Sequence, residues 1–475
     1  MYIMSAQGFT GLVDWLVTHR FDAIPDNALK AGKQCLLDGI ACFRAGLQTA
    51  QMDAFARVLA VNSVGQGDRP IPVGNAGRAG LFDAVTLYAN AANILDFDDC
   101  FREEAPSHPG ATIIGPALAC AHLLARSGCE LLHAVVIAYE ASLRIGAMLC
   151  PSDAAPSKDI GYATWQMFGA FIAAGRLFGL NRDQWLQGFG LAAQQAPLPS
   201  IVRANPAGGY TWLKNGYGAA AAAGVQSACL AKEGFIGDQH FFSRNFGFWK
   251  TYGSDRLRPE CLSTMPGDDW WIRRVEFKPW ACCRWAHPAL EAILQMKPSF
   301  DVTQIEHIDV HSFREFVGTL DSPFPTNLVD AQFNARFLIA SACVADDFNA
   351  ALRTPDFESA AIRALFAKID IHHDAALDRQ HRADMSIPTR VAVMLKDGST
   401  QERVLTEPPG SQRREPTTFD DTVSKYRSTL APLIGLAAAE RALAVVMQLE
   451  TYPARDLMNA LFASPETLTP ERRPC

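Results

Sequence analysis

Five carboxylates lie within nine positions of one another, between two apolar segments of the chain. They are Asp96, Asp98, Asp99, Glu103 and Glu104. The flanking residues 88–95 and 111–124 are small and apolar, which predicts a buried helix on either side. Burying carboxylates is costly unless they are paired or handle a proton, a cation or a polar ligand. The cluster therefore predicts a functional site, with a solvated charged face as the alternative interpretation.

His108 follows this cluster in a Ser-His-Pro-Gly turn at a predicted helix start. Backbone N–H groups at a helix start favour an anionic ligand, and an imidazole is the commonest proton carrier near neutral pH. A lone histidine in a sequence can equally be structural. The acidic neighbourhood makes His108 the first candidate for proton transfer.

Basic residues form the second group of candidates. Lys278, Arg284 and His287 lie together at a predicted junction from strand to helix. Arginine binds a carboxylate as a fork and lysine acts as a point charge, so the set suits a polycarboxylate. Surface cations around buried tryptophans are the alternative. Lys214 precedes an alanine-rich helix, where an ammonium needs a partner, a ligand or a lowered pKa unless it reaches solvent.

The elements that position these residues change in type along the chain. Helical periodicity runs from the N-terminus to about residue 265 and returns in residues 419–449 and 454–462. Strand-like alternation occurs in residues 274–277, 305–311 and 389–395, the last running into a tight turn. We therefore predict a mainly α fold. A large all-helical domain of residues 1–266, completed by 411–475, would carry an inserted, smaller α/β lid domain of residues 267–410.

Composition narrows the class of protein. A net charge of -7 with dispersed cations argues against nucleic acid as a partner. The N-terminus lacks a basic leader, and we find no uninterrupted apolar run of about 18 residues that could span a membrane. The 12 cysteines are scattered without a Cys-x-x-Cys pair, which indicates a reducing compartment. These features predict a soluble, cytoplasmic protein.

The candidate motifs for binding a cofactor or a metal do not match the patterns that such sites require. The glycines between Gly74 and Gly80 have the wrong spacing for a dinucleotide loop. His372 and His373 are adjacent on a polar stretch, which is weak support for a metal site. We predict neither a metal site nor a bound cofactor.

Several motifs in order along the chain are typical of one superfamily. They are Leu95-Asp96-Phe97-Asp98-Asp99, Ser107-His108-Pro109-Gly110, Phe168-Gly169-Ala170, Lys278-Pro279-Trp280-Ala281-Cys282-Cys283-Arg284 and His287-Pro288-Ala289. Together with smaller matches they span about residues 10 to 450. The chain resembles the MmgE/PrpD superfamily of 2-methylcitrate dehydratases, cis-aconitate decarboxylases and iminodisuccinate epimerases.

The resemblance implies a cofactor-independent homodimer with its active site in a cleft between a helical body and an α/β lid. Members act on small di- and tricarboxylates by eliminating water, decarboxylating or epimerising beside a carboxylate. The family's active-site aspartate matches Asp96, its motif histidine His108, and its two lysines Lys214 and Lys278.

The chain departs from the family pattern at positions close to these site residues. Cys100 stands where a threonine is usual, and two extra residues separate it from His108. Residues 161–164 stand where the family has a second catalytic histidine, so Tyr162 replaces that histidine or reshapes the pocket. We predict Cys100, Tyr162, Arg284 and His287 as substrate-binding residues.

These observations predict a lyase that abstracts a proton next to a carboxylate of a small polycarboxylate substrate. Dehydration is the first choice, with epimerisation or isomerisation and decarboxylation as alternatives. A helical scaffold without activity is an alternative of another class, supported by the missing histidine. A magnesium–diphosphate enzyme like the isoprenoid synthases is a further alternative, but no second acidic motif occurs on a later helix.

Overall fold

A computed structural model describes residues 6–60, 70–74, 77–152, 155, 163–197, 213–242, 247–263 and 265–462. In this part of the chain the protein is 62% helical, with 20 helices, a two-stranded sheet and a four-stranded sheet. The predicted fold class, mainly α with a small α/β part, is confirmed.

Ten helices precede residue 253. They are α1 (Ala6–Thr18), α2 (Asp26–Gly46), α3 (Ala50–Ala60), α4 (Leu81–Ile94), α5 (Pro109–Leu123), α6 (Gly128–Leu149), α7 (Ala163–Phe178), α8 (Arg182–Gln194), α9 (Tyr217–Lys232) and α10 (Phe248–Tyr252). The short strands β1 (Ile71–Pro72) and β2 (Arg78–Ala79) pair in antiparallel fashion.

Small residues let the central helices approach one another closely. A Cβ added at Gly224 of α9 would collide with the backbone oxygen of Met167 on α7. One added at Gly218 would lie 2.6 Å from the carbonyl oxygen of Thr86 on α4. Residues of this size therefore allow α9 to pack against both α4 and α7, as the alanine- and glycine-rich sequence predicts.

Helix α6 is the longest of the described helices, and a capping box of Ser127 and Glu130 fixes its start. It is long and apolar enough to cross a membrane by length and composition alone. Its apolar window is entirely buried inside the protein, and core helices commonly pass this test.

The lid region follows. It contains α11 (His287–Met296), β3 (Ile305–Ser312), α12 (Arg314–Leu320), α13 (Leu328–Gln332), α14 (Ala335–Val344), α15 (Phe348–Arg353), α16 (Ala360–Phe366), β4 (Ile369–His373), α17 (Ala375–Asp384), β5 (Thr389–Leu395) and β6 (Thr400–Leu405). The strands form a sheet in the order β4-β3-β5-β6. β3 pairs with β4 in parallel and with β5 in antiparallel fashion, and α11 packs against β5 and β6.

Three helices follow in the described part of the chain: α18 (Phe419–Ile434), α19 (Leu436–Met447) and α20 (Ala454–Phe462). α18 packs against α2, and α20 against α5, so the last helices lie on the helical body. The domain boundaries at residues 266 and 411 stay predictions.

One sequence-based prediction of a strand is wrong, and the sequence pattern does not predict β4. Residues 274–277 do not form a strand. A 3₁₀ turn ends at Arg274, and Glu276 then makes a single antiparallel bridge with Cys100. Pro279 lacks the N–H that a longer ladder would need. Strand β4 was not predicted, because its five residues are short and half polar.

Candidate active site

Asp96 lies two residues after α4, where the backbone turns sharply. Its φ angle is 49°, and its N–H donates to the carbonyl oxygen of Asn93 at 2.9 Å. Aspartate tolerates this left-handed conformation better than most residues. The turn directs the carboxylate inward, leaving Asp96 only 3% exposed.

Two lysines from distant segments converge on Asp96. Lys214 Nζ donates to Asp96 Oδ1 at 2.8 Å and to the carbonyl oxygen of Asn93 at 2.7 Å. Lys278 Nζ donates to the carbonyl oxygen of Asp96 at 2.9 Å and lies 3.4 Å from its Oδ2. Both lysines are buried. The arrangement satisfies the carboxylate from both sides and holds two ammonium groups in the interior.

Interactions among their charges determine the ionisation of Asp96, Lys214 and Lys278. Burial opposes ionisation of Asp96, but Lys214, Lys278 and His108 outweigh it and hold its pKa below the ordinary value. Burial also opposes the charge on Lys278, yet Asp96 raises its pKa. Burial lowers the pKa of Lys214, although the negative charge of Asp96 acts to raise it. The ionised carboxylate therefore favours the charged form of both lysines, and at Lys278 it outweighs the effect of burial.

His108 is the N-cap residue of α5. Its Nδ1 lies 2.9 Å from the carbonyl oxygen of Asp99 and 3.5 Å from Asp98 Oδ2. Because a carbonyl oxygen only accepts, we assign the proton of the neutral ring to Nδ1, which leaves Nε2 able to accept another. Burial lowers the pKa of His108, partly opposed by Asp98, so the ring is neutral at pH 7.

Two amide side chains hold this constellation in place. Gln166 on α7 donates from Nε2 to the carbonyl oxygen of His108 at 2.6 Å and accepts the His108 N–H at 3.2 Å. Asn93 Nδ2 lies 3.0 and 3.1 Å from the two oxygens of Asp98. Neither amide is predictable as a positioning residue from the sequence, because uncharged amides carry no signal without their partners.

Asp99 lies behind His108. Its carboxyl accepts the Tyr139 hydroxyl at 2.7 Å and the Gly110 N–H at 2.9 Å. Burial and the nearby Asp38 raise its pKa to about 8, so it is largely protonated at pH 7. A Cβ at Gly110 would lie 2.7 Å from both Asp99 Oδ1 and the Tyr139 hydroxyl, which explains why glycine occupies this position.

The acidic cluster thus divides into two parts. Asp96, Asp98 and Asp99 are buried. Glu103 and Glu104 form outer ion pairs with Arg274 at 3.2 Å and with Arg258 at 3.0 Å. The solvated interpretation holds for the two glutamates, and the buried interpretation for the three aspartates.

Three of the four residues predicted to bind substrate lie near this centre, and each has contacts of its own. Cys100 is buried, and burial raises the pKa of its thiol to about 11. Arg284 donates to Glu276 at 2.9 Å and to the Pro409 carbonyl oxygen at 2.8 Å. His287 lies fully buried, and Tyr162 lies outside the described residues.

Glu276 explains the position of Arg284. Its carboxylate also accepts two hydrogen bonds from Arg102, at 2.8 and 3.0 Å. Arg102 in turn reaches Glu407 at 2.6 Å. The guanidinium of Arg284 is therefore one member of a buried network that ties the acidic segment to the chain around Pro409, and its role in substrate binding stays a prediction.

His287 has an environment of its own. Its ring packs against Trp280, with centroids 5.2 Å apart, and its Nε2 lies 3.4 Å from the Cys282 carbonyl oxygen. Burial, together with Arg284 and Lys278, keeps its pKa well below the ordinary value. The ring is therefore neutral, and its predicted contact with substrate stays a prediction.

This arrangement of side chains can support proton abstraction. A neutral imidazole with an available nitrogen can abstract a proton, and buried ammonium groups can stabilise negative charge that develops beside it. The structure brings together the four residues predicted to be catalytic, Asp96, His108, Lys214 and Lys278. The oxygens of Asp96 are engaged by the lysines, so they hold the ammonium groups in position.

Comparison with known proteins gives consistent matches over most of the chain. The model of the MmgE/PrpD N-terminal domain matches residues 10–259, and that of the MmgE/PrpD C-terminal domain matches residues 280–451. The cis-aconitate decarboxylase-like protein oryM of Aspergillus oryzae is 24% identical, covering 93% of this chain and 94% of its own. The cis-aconitate decarboxylase of Aspergillus terreus is 23% identical, covering 95% and 96%.

Proposed function

Because the chain belongs to the MmgE/PrpD family, we propose that it is a lyase that abstracts a proton next to a carboxylate of a small di- or tricarboxylate. One observation carries the proposal. A neutral His108 lies beside a buried Lys214–Asp96–Lys278 group. This combines a base with fixed positive charge, which the formation of an enolate-like intermediate requires.

The roles follow from the contacts. His108 Nε2 takes the proton, while the Nδ1 contact with the Asp99 carbonyl oxygen fixes the ring. Lys278 has Asp96 as its hydrogen-bond partner among the described residues, so its ammonium can turn a further N–H toward a substrate carboxylate. Asp96 favours the charged form of both lysines and holds them in place.

Dehydration is the reaction that this ionisation state favours. In a dehydratase the enzyme must first remove a proton, so the free enzyme needs a neutral base. Burial keeps His108 in that form. Epimerisation begins with the same step and differs only in where the proton returns.

Decarboxylation is the second candidate, and sequence similarity favours it. Both relatives described above carry cis-aconitate decarboxylase in their names and align over nearly their whole length. In that reaction carbon dioxide leaves first and an acid then protonates the carbanion. A bound polycarboxylate would raise the pKa of His108 and so supply the acid.

The experiment is proton NMR of the EDTA-treated protein in D₂O with citrate, 2-methylcitrate, cis-aconitate and an amino-dicarboxylate. We expect deuterium to enter a carbon next to a carboxylate. Loss of water would identify a dehydratase, loss of CO₂ a decarboxylase, and exchange with inverted configuration an epimerase. The His108→Gln variant serves as the control.

If none of the four acids takes up deuterium or loses water or CO₂, the proposal is contradicted for these four acids. Calorimetry with the same compounds then distinguishes the remaining possibilities. Binding without exchange would favour a helical scaffold that has kept the pocket but lost the chemistry. Absence of binding would remove these polycarboxylates as ligands altogether.

A further inference from the structure

The sheet of the lid carries a group of polar side chains that the proposed reaction does not use. β3 alternates between buried apolar residues and half-exposed polar ones, which are His307, Asp309 and His311. The parallel pairing with β4 places His311 opposite His372 and Asp309 opposite Asp370. Residues 61 positions apart therefore share one face of the sheet, which the sequence alone does not reveal.

Three of these side chains lie close enough to share one ion. His372 Nε2 lies 2.8 Å from Asp309 Oδ1, and the rings of His311 and His372 are 4.8 Å apart between centroids. One ligand atom from each of Asp309, His311 and His372 lies within 4.8 Å of the other two. Among the described residues, this is the one group of three metal-ligating side chains that meets this condition.

We propose that Asp309, His311 and His372 form a binding site for a divalent transition-metal ion of the zinc class. Zinc binds imidazole nitrogen and carboxylate oxygen at about 2.0–2.2 Å, which places tetrahedral ligand atoms roughly 3.4 Å apart. The present spacing, within 4.8 Å, is wider than this, so binding would draw the three ligand atoms together. Two nitrogens and one oxygen suit zinc, cobalt or nickel better than magnesium or calcium, which prefer oxygen.

The surroundings support the site. His307 Nε2 lies 3.3 Å from Asp309 Oδ1 and 3.4 Å from Asp370 Oδ2, so a third imidazole and a second carboxylate flank the group. Such neighbours orient ligands and add negative charge. Arg390 on β5 lies opposite His311 in the sheet, but it is paired with Glu402 at 3.3 Å and Asp374 at 3.7 Å.

A metal here would join two strands. β4 lies at the edge of the sheet, and among the described strands it pairs with β3 alone. An ion held by His311 and His372 would therefore fasten an edge strand to its neighbour. Since it would bind the folded lid and not the separated strands, it would stabilise the lid by mass action.

The test is a titration of the metal-free full-length protein with Co²⁺, followed by its visible absorption, and with Zn²⁺, followed by calorimetry. We expect one equivalent to bind with the d–d bands of a nitrogen- and oxygen-ligated ion and without a thiolate charge-transfer band. The variants His311→Ala and His372→Ala should each weaken binding at least tenfold.

The matched control is His373→Ala, because His373 neighbours His372 but lies outside the group, 3.6 Å from Asp378. Its affinity should equal that of the unchanged protein. Asp309→Asn provides a milder variant if an alanine variant misfolds, and it should also weaken binding. Absence of binding, or equal binding by the His311→Ala/His372→Ala protein, would overturn the proposal. Neither result bears on turnover at His108.

Discussion

Asp96 and Lys214, 118 positions apart, both adopt left-handed backbone with φ of 49°, and their side chains meet at 2.8 Å. Among the described residues, only two other non-glycine residues have positive φ. Conformations of this kind cost about 1–3 kcal/mol and persist where the surrounding structure requires them. Their coincidence in one ion pair indicates that both backbones are held for the pair.

The charge of Asp96 is expected to be essential for the stability of the site. Asp96→Asn keeps a residue that tolerates left-handed backbone but leaves two buried ammonium groups without their anion. Removing one partner of a buried ion pair costs about 3–5 kcal/mol, so the free energy of unfolding should fall by that amount. Urea denaturation measures it. Asp22→Asn, which breaks the exposed pair with Arg20, is the control and should leave the midpoint unchanged.

Removing the base should slow the reaction without unfolding the protein. His108→Gln should lower kcat by about 10²–10⁴ on the true substrate, because a positioned acid–base group contributes that much. Steady-state kinetics together with circular dichroism measure the effect. A His108→Gln enzyme with near-normal kcat would show that another group moves the proton.

The pH profile checks the same assignment. The active form of His108 is neutral, and burial lowers its pKa, so the acid-side fall in kcat/KM should lie at a lower pH than for an ordinary histidine. The residual activity of His108→Gln should lack this acid limb.

Asp99 should make stability depend on pH in a defined direction. Its pKa is about 8 in the folded protein and 3.8 without the fold, so between these values the folded state binds more protons. Its contribution to the free energy of unfolding is therefore fully present below about pH 4 and is lost as pH rises toward 8. Asp99→Asn mimics the protonated form in carrying no charge, and its amide oxygen can still accept the Gly110 N–H.

Unfolding at pH 5.5, 7 and 8.5 tests this expectation. The difference in stability between Asp99→Asn and the unchanged protein should shift in favour of the variant as the pH rises. A difference that stays constant would mean that Asp99 is ionised throughout this range.

Arg284 and Lys278 should respond differently to the same substitution. Arg284→Met removes a hydrogen bond to Glu276, which still has Arg102, so it should cost about 1.5–3 kcal/mol of unfolding free energy and leave kcat largely intact. Lys278→Met removes charge beside Asp96 and should lower kcat about 10²–10³-fold. A large rise in KM for Arg284→Met would instead support the sequence-based role in substrate binding.

The sequence predicts the helical body and the clustering of Asp96 with His108, because periodicity and motif order are local signals. The meeting of Asp96 with Lys214 and Lys278 came from the family resemblance. The division of the acidic cluster into buried aspartates and outer glutamates depends on Arg258 and Arg274, whose positions only the fold determines.

Long-range pairing accounts for what the sequence does not predict. Glu276 bridges to Cys100 and binds two arginines, and neither contact leaves a pattern in residues 274–277. The register of β3 against β4 likewise creates the His311–His372 pair from two unremarkable polar stretches.

The contact between Lys278 and Asp96 has a consequence for folding. It joins residues 182 positions apart, one leaving α4 and the other entering the lid region. Closing so long a loop costs conformational entropy, which the contact offsets only after it has formed. The helices can form earlier from local contacts. After dilution from denaturant, enzyme activity should therefore return more slowly than the helical circular dichroism signal. The return of activity would then report the last step of folding.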